Sequence, residues 1–444
     1  MKRLVYIIFT FCTISLLAQN VGNHGALPVI TPSPKQPNPY QQLQSFPNNQ
    51  IQTNSYNSKE LKDIQRNNEI IMKEVEEHQR YINAEIRRQS AIKMLIDSGF
   101  PSQAYQDPEN IKYFYQAFDE INNMLKGEKP LNVGRTVFLI ENAFYGNKLD
   151  YPEYQNFINH NAILCKQKIE EEKLDGNNNL VKNMMLFRLI TDTLKFKNKG
   201  TENTLIHLPV EYDYNDYNSQ QHYDSHFVSK LMKSGVGQCY SMPLYYLILA
   251  EAIGAEAYWS FSPKHSFVKI QDEKGRWYNI ELTCGAILSD AHYMNNSYIK
   301  AEAIRNKLYL EPMNKTNVVA EMLIILARYY YFRYGLDDFY LQCANTAEQY
   351  LDNDLDAIML KAEYQTRLTL TIANLLKAPT PEILKQLSPE AYKHYEKMNE
   401  LYRQIDNLGY EEFPDDLYAK CLDYIATQKE KSEQNKKIFL NEIR

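Results

Sequence analysis

"GVGQCYSMPLYYLILAEAIG", residues 235–254, sets a cysteine between spaced glycines and a strongly apolar run. Pro243 decides how that run is read. Its ring would collide with the carbonyl four residues back, that of Cys239, so a helix can hold Pro243 only in its first turn. Cys239 therefore sits at or just before the N-terminus of the helix. From Leu244 onward "LYYLILAEAIG" is apolar nearly all round, which predicts a centrally buried helix, and Gly254 closes it. A thiol at that end faces unsatisfied backbone N–H groups and the positive pole of the helix dipole, which favour the thiolate. The bland alternative is a small buried hydrophobe, since free cysteine is among the most buried residue types.

Three strand signals lie beyond the helix. "EAYWSFSP" (256–263), "HSFVKIQ" (265–271) and "RWYNIELT" (276–283) are short, rich in aromatic and β-branched residues, and bounded by Pro263, by Asp272 to Gly275 and by Gly285. Glu273, Lys274 and Gly275 suit a three-residue hairpin loop ending in a left-handed residue, which puts Asp272 opposite Arg276. In that register Phe267 faces Glu281, and His265 lies diagonally from Glu281 on the same side of the sheet. Asn279 shares the face, further along. A one-residue slip would send both Glu281 and Asn279 away from His265.

Thiol, imidazole and orienting acid make a nucleophile, base and orienter set. The 26 residues from Cys239 to His265 leave room for a helix, a turn and a strand, and the 16 from His265 to Glu281 for one hairpin. Read one at a time, His265 is an ordinary hydrogen-bonded strand histidine and Glu281 a solvated carboxylate; their order and spacing carry the reading. The backbone N–H of Cys239 is the natural oxyanion donor, with the Gln238 side chain as a second by adjacency. Trp259 and Trp277 are candidates for the acyl pocket, although buried aromatics mostly just pack.

Cysteine at the head of a buried helix, histidine starting a strand and "RWYNIELT" on the next strand together resemble the transglutaminase-like superfamily, within the wider papain-like thiol folds. The resemblance covers about residues 200–310. It implies that Cys239 attacks a carbonyl, His265 serves as its base and Glu281 orients the base. Aspartate is usual at the third position, so Glu281 keeps the charge on a longer arm. The activity so implied is that of a thiol acyltransferase or amide hydrolase acting on protein or peptide amides, with no cofactor. Two other readings stand beside it: a catalytically inactive version of the fold serving as a protein-binding module, and a cysteine endopeptidase.

"QHYDSHF" (221–227) places His222, Asp224 and His226 at alternate positions, where a strand would turn all three to one side and offer a metal site, without an apparent fourth ligand. The alternative is a tyrosine-rich surface segment, and no metal is assigned. No Gly-rich phosphate loop is present.

The remaining chain frames this core. Residues 1–20 carry Lys2 and Arg3, an apolar run from Leu4 to Ala18 and a small residue where a peptidase could cut, which reads as an export signal and is too short for a comfortable membrane span. The expectation is a periplasmic or secreted protein with no membrane span in the mature chain. Residues 21–58 are rich in Pro, Asn and Gln and read as a disordered linker. Residues 59–200 read as helical: a charged helix with apolar positions at Leu61, Ile64, Ile71, Val75 and Ile82 that should pack on a surface, then a helix begun by Asp107 and Pro108, then two apolar ones. The core spans 201–312. From 313 to 444 helical spacing resumes, and Ile324, Ala327, Tyr331, Gly335 and Ala347 resemble a degenerate tetratricopeptide helix pair, with Arg328 and Tyr340 as departures; such helices suit a protein partner. The whole is an α+β layout.

The chain has 49 basic and 55 acidic residues, a net charge of −6, which gives no electrostatic reason to expect nucleic acid or an anionic membrane. Beyond the signal it keeps Cys165, Cys239, Cys284, Cys343 and Cys421, an odd number, so at least one thiol stays free or pairs with another molecule.

Overall fold

A computed structural model describes residues 58–430 except 105, 198–203, 353, 415, 418, 421, 422, 424–426, 428 and 429. The export signal, most of the linker and Cys421 lie outside the described residues. The chain divides into two units, one of which holds residues 19–97 and the other 98–444. In the first, helix α1 (Ser58–Ser98) runs as predicted. Its apolar residues Leu61, Ile64, Ile71, Val75 and Ile82 are exposed, however, contrary to the packed face that their spacing suggested.

The second unit is built from α2 (Pro108–Leu125), α3 (Val133–Phe144), α4 (Tyr151–Glu171) and α5 (Asn179–Thr191), followed by strands β1 (Leu194–Lys197), β2 (Thr204–His207) and β3 (Glu211–Tyr212). Asp107 caps α2 by accepting from the Asn110 N–H, with Pro108 at its first position. The helical stretch therefore ends at Thr191, earlier than expected. There the apolar periodicity gives way to alternation, with Leu194 and Phe196 buried and Lys195 and Lys197 exposed.

Helix α6 (Val228–Ser234) leads through β4 (Val236–Gly237) into α7 (Ser241–Ile253). Pro243 stands in the first turn of α7, and Gly254 ends the helix at φ 69°. Nearly every residue from Ser241 to Ala250 is buried, because α4, α5 and α6 cover α7 on some sides and the sheet on another. Burying each large apolar side chain there stabilises the fold by about 1.5–3 kcal/mol.

That sheet is an antiparallel meander of β5 (Tyr258–Ser262), β6 (His265–Gln271), β7 (Trp277–Glu281) and β8 (Ala286–Leu288). Val268 pairs with Ile280 and Gln271 with Trp277, the expected register, and Gly275 takes φ 77° at the end of the loop. Helices α8 (Asp290–Asn296) and α9 (Ala301–Arg305) then pack Tyr293 and Ala303 onto the sheet residue Phe267, together with Tyr309 and Leu310. The free edge of β5 is covered by the next segment, whose Leu310 and Met313 N–H groups donate to Phe261 and Trp259 carbonyls at 2.9 and 2.8 Å. This pairing fixes the entry into α10 (Lys315–Tyr334), α11 (Asp338–Ala347), α12 (Leu355–Leu376), α13 (Pro381–Leu387) and α14 (Pro389–Leu408).

α10 and α11 form a packed pair in which Ile324, Ala327 and Ala347 are fully buried and Gly335 ends α10. The architecture is mixed and helix-rich with small sheets, an α+β fold. Among the described residues no helix is long and apolar enough to cross a membrane.

Candidate active site

Cys239 sits two residues ahead of α7, on a turn whose carbonyl cannot be capped in the ordinary way. Pro243, four residues on, has no N–H to give it. The Ser266 hydroxyl supplies the missing donor, reaching the Cys239 carbonyl at 2.6 Å. Because Ser266 follows His265 on β6, the bond that repairs the helix start also ties it to the histidine strand. The same turn is held from below by Gly237, where an added Cβ would lie 2.5 Å from Leu231 and 2.9 Å from Met242.

His265 opens β6 after a tight turn in which Lys264 takes φ 58°, a left-handed backbone that costs a non-glycine residue about 1–2 kcal/mol. Its ring Nε2 lies 2.6 Å from Glu281 Oε2. An ionised carboxylate only accepts, so Nε2 carries a proton and Nδ1 is the nitrogen left for the Cys239 thiol, which lines the same cavity and interacts with the ring. Burial works against the charged ring. The Glu281 carboxylate and the Cys239 contact outweigh it and hold His265 well above the usual histidine range.

Glu281 is 6 % exposed and fully bonded. Oε1 accepts from the Thr283 backbone N–H at 3.1 Å and the Thr283 hydroxyl at 2.7 Å, and Oε2 accepts from Tyr293 at 2.9 Å as well as from His265. Burial alone would raise this carboxyl; the His265 charge and the Thr283 donors overturn that and bring it down to about 2. Tyr293 is itself held by stacking on Phe267, with ring centroids 4.1 Å apart. The longer glutamate arm is thus accommodated by a threonine two residues on and by a tyrosine from α8.

Cys239, His265 and Ser266 line a cavity of about 680 Å³ whose walls also include residues 212–217, 307–313 and 410–413, parts of α10 and the start of α12. Among the described residues nothing accepts from the Cys239 backbone N–H, which leaves it available to a developing oxyanion. Cys284 lines the same cavity. Partial desolvation of its sulfur, then the Glu281 charge, pushes its thiol up to about 11. Cys165, Cys239, Cys284 and Cys343 are all free thiols.

The remaining candidates are placed elsewhere. Gln238 lines the cavity, but its amide is already engaged: Nε2 donates to the Asp216 carbonyl and Oε1 accepts from Ser219 at 3.0 Å. Asn279 is on the expected face and buried, yet it donates to Asp290 at 2.8 Å, beside the buried Lys269 that donates to the same oxygen at 2.9 Å. Trp259 is fully buried behind the cavity wall, packed on Tyr240 and Phe261. Trp277 lies at the loop end of the hairpin, 40 % exposed, against Tyr258. Neither indole reaches the cavity.

His222, Asp224 and His226 do not share a strand face. Residues Tyr223–His226 form a single 3-10 turn, Asp224 accepts from Tyr145, and His226 turns to Ser219. Among the described residues no group of His, Cys, Asp and Glu could hold a metal ion. Sequence spacing missed Ser266, Thr283 and Tyr293 as partners of the set. Compared with known proteins, the chain matches no family model, no curated protein and no solved structure.

Proposed function

We propose that this protein is a cysteine acyltransferase or amide hydrolase with a transglutaminase-like core, acting on a protein or peptide amide through Cys239, His265 and Glu281. The observation that carries the reading is the His265 ring, bonded to a buried carboxylate and sharing a cavity wall with a thiol that interacts with it. In the reaction the Cys239 thiolate attacks the carbonyl carbon and a C–S bond forms. The carbonyl oxygen gathers charge against the Cys239 N–H. As the C–N bond breaks, His265 gives its Nδ1 proton to the leaving nitrogen, while Glu281 and Tyr293 hold the ring in place. Water or an amine then attacks the thioester, returns a proton to His265, and the C–S bond breaks to free the thiol.

Export, inferred from residues 1–20, belongs to the same proposal. So does a protein partner on the C-terminal helices, a role that the packed pair α10 and α11 suits.

The test is acylation by 4-nitrophenyl butyrate followed by peptide mapping. Butyrylation of Cys239 well ahead of Cys284, and loss of that preference in His265→Ala, is the expected outcome; equal modification of the two thiols in the wild type would refute the reading. Ammonia release from a glutamine peptide, with and without added amine, then assigns water or amine as acceptor.

A further inference from the structure

Helix α1 runs for 41 residues, of which Ile92 and Leu95 alone are buried. Upstream of them Leu61, Ile64, Ile71, Val75, Ile82 and Ile86 are 37 to 59 % exposed. At 3.6 residues per turn these six fall within an arc of about 80°, a stripe about 38 Å long. A helix with such a stripe normally turns it onto a core. Among the described residues nothing covers it.

The spacing says what kind of surface would. From Leu61 to Ile64, Ile71, Val75 and Ile82 the steps are 3, 7, 4 and 7 residues, the a and d positions of a heptad repeat, which suits a long seam against another helix. The two positions that the run skips hold Asn68, at a, and His78, at d. In a parallel pair each seam residue meets its own copy. An amide carries donors and an acceptor and so satisfies its copy across the seam, and a single Asn at an a position fixes the register of paired strands.

The flanks of the seam agree. In a parallel pair Glu60 meets Gln65 of the other copy and Glu74 meets Gln79, a carboxylate before an amide donor each time, and no like charges face one another between 60 and 86. An antiparallel pair centred on the stripe would instead bring Glu74 against its own copy. Past Ile82 the repeat gives way: Glu85 takes the next d position and is bonded to Arg88 at 2.6 Å. A lipid surface is the other taker of an apolar helix face, and it favours basic residues along the polar side. Residues 58–91 hold 7 basic against 7 acidic side chains, which gives such a surface no electrostatic hold.

We infer that α1 is a dimerisation helix, whose stripe from Leu61 to Ile86 packs in parallel on α1 of a second copy of this chain, with Asn68 facing Asn68 across the seam.

Light scattering after size exclusion of the full chain, at several loading concentrations, should give the mass of two copies. Ile71→Asp combined with Val75→Asp should halve that mass. Both side chains are more than half exposed, so the variant should keep the wild-type circular dichroism. Asn68→Cys should cross-link copy to copy under copper phenanthroline and air, with the disulfide mapped to position 68. In the antiparallel pair the two 68 positions stand about 16 Å apart along the helix, beyond disulfide reach. One-copy mass at every loading overturns the inference, as does a two-copy mass that the double substitution leaves unchanged. A dimer that fails to cross-link at 68 overturns the parallel register. One-copy protein that binds vesicles of phosphatidylcholine and phosphatidylglycerol, and loses that binding in the double variant, assigns the stripe to lipid and overturns the pairing.

Discussion

At the residue scale the pair His265 and Glu281 has a defined pH window. Glu281 is depressed from an unfolded value of about 4.3 to about 2, so its contribution is complete above the former and is lost as pH falls through the latter. His265 is raised, so its contribution is complete below the unfolded value of about 6.5 and is lost as pH rises through the folded one. The two describe one interaction, at full strength between about pH 4.3 and 6.5. Glu281→Gln keeps the shape and removes the charge. It should return His265 toward the ordinary histidine range, seen in an NMR titration of the ring protons, and lower the acylation rate by about 10²–10⁴-fold. An unchanged His265 titration would show that the carboxylate does not govern the ring. Cys284 serves as the internal control, a thiol in the same cavity without an imidazole bonded to it and pushed up to about 11.

At the element scale, the start of α7 and the register of the β6–β7 hairpin are both legible in the sequence. Proline sterics confine the start of the helix to the few residues before Pro243, and a three-residue loop ending at Gly275 admits one register, which by itself brings His265 diagonal to Glu281. Both are local rules. What those rules miss is non-local: Tyr293 comes from α8, and its position depends on stacking over Phe267. Much of the opposing wall of the cavity comes from helices that begin more than 70 residues after Cys239, and spacing does not report their placement. Trp259 and Trp277 stay out of the pocket expected of them because aromatic content says nothing about which side of a wall a ring lies on. Ser266 joins the local and non-local parts. Ser266→Ala leaves the half-buried Cys239 carbonyl without its donor, which should cost about 0.5–1.5 kcal/mol in urea unfolding and slow modification of Cys239 more than that of Cys284. A wild-type midpoint together with wild-type selectivity would mean that the bond does not position the thiol.

At the scale of the whole molecule, the reactive set belongs to the helix and sheet core, while much of the opposing wall belongs to the C-terminal helices that enter along the free edge of β5. On the proposed function, chemistry and substrate contact fall on different parts of the chain, and substitutions in α10 or α12 should alter selectivity where those at 239, 265 and 281 alter rate. The most direct measurement is the alkylation of Cys239 by iodoacetamide near pH 6, located by peptide mapping, in the wild type and in His265→Ala. Fast modification of Cys239 that collapses in the variant, with Cys284 slow in both, is the predicted result. Slow and equal modification of Cys239 in the two proteins would contradict the account and leave a packed cysteine beside a hydrogen-bonded histidine.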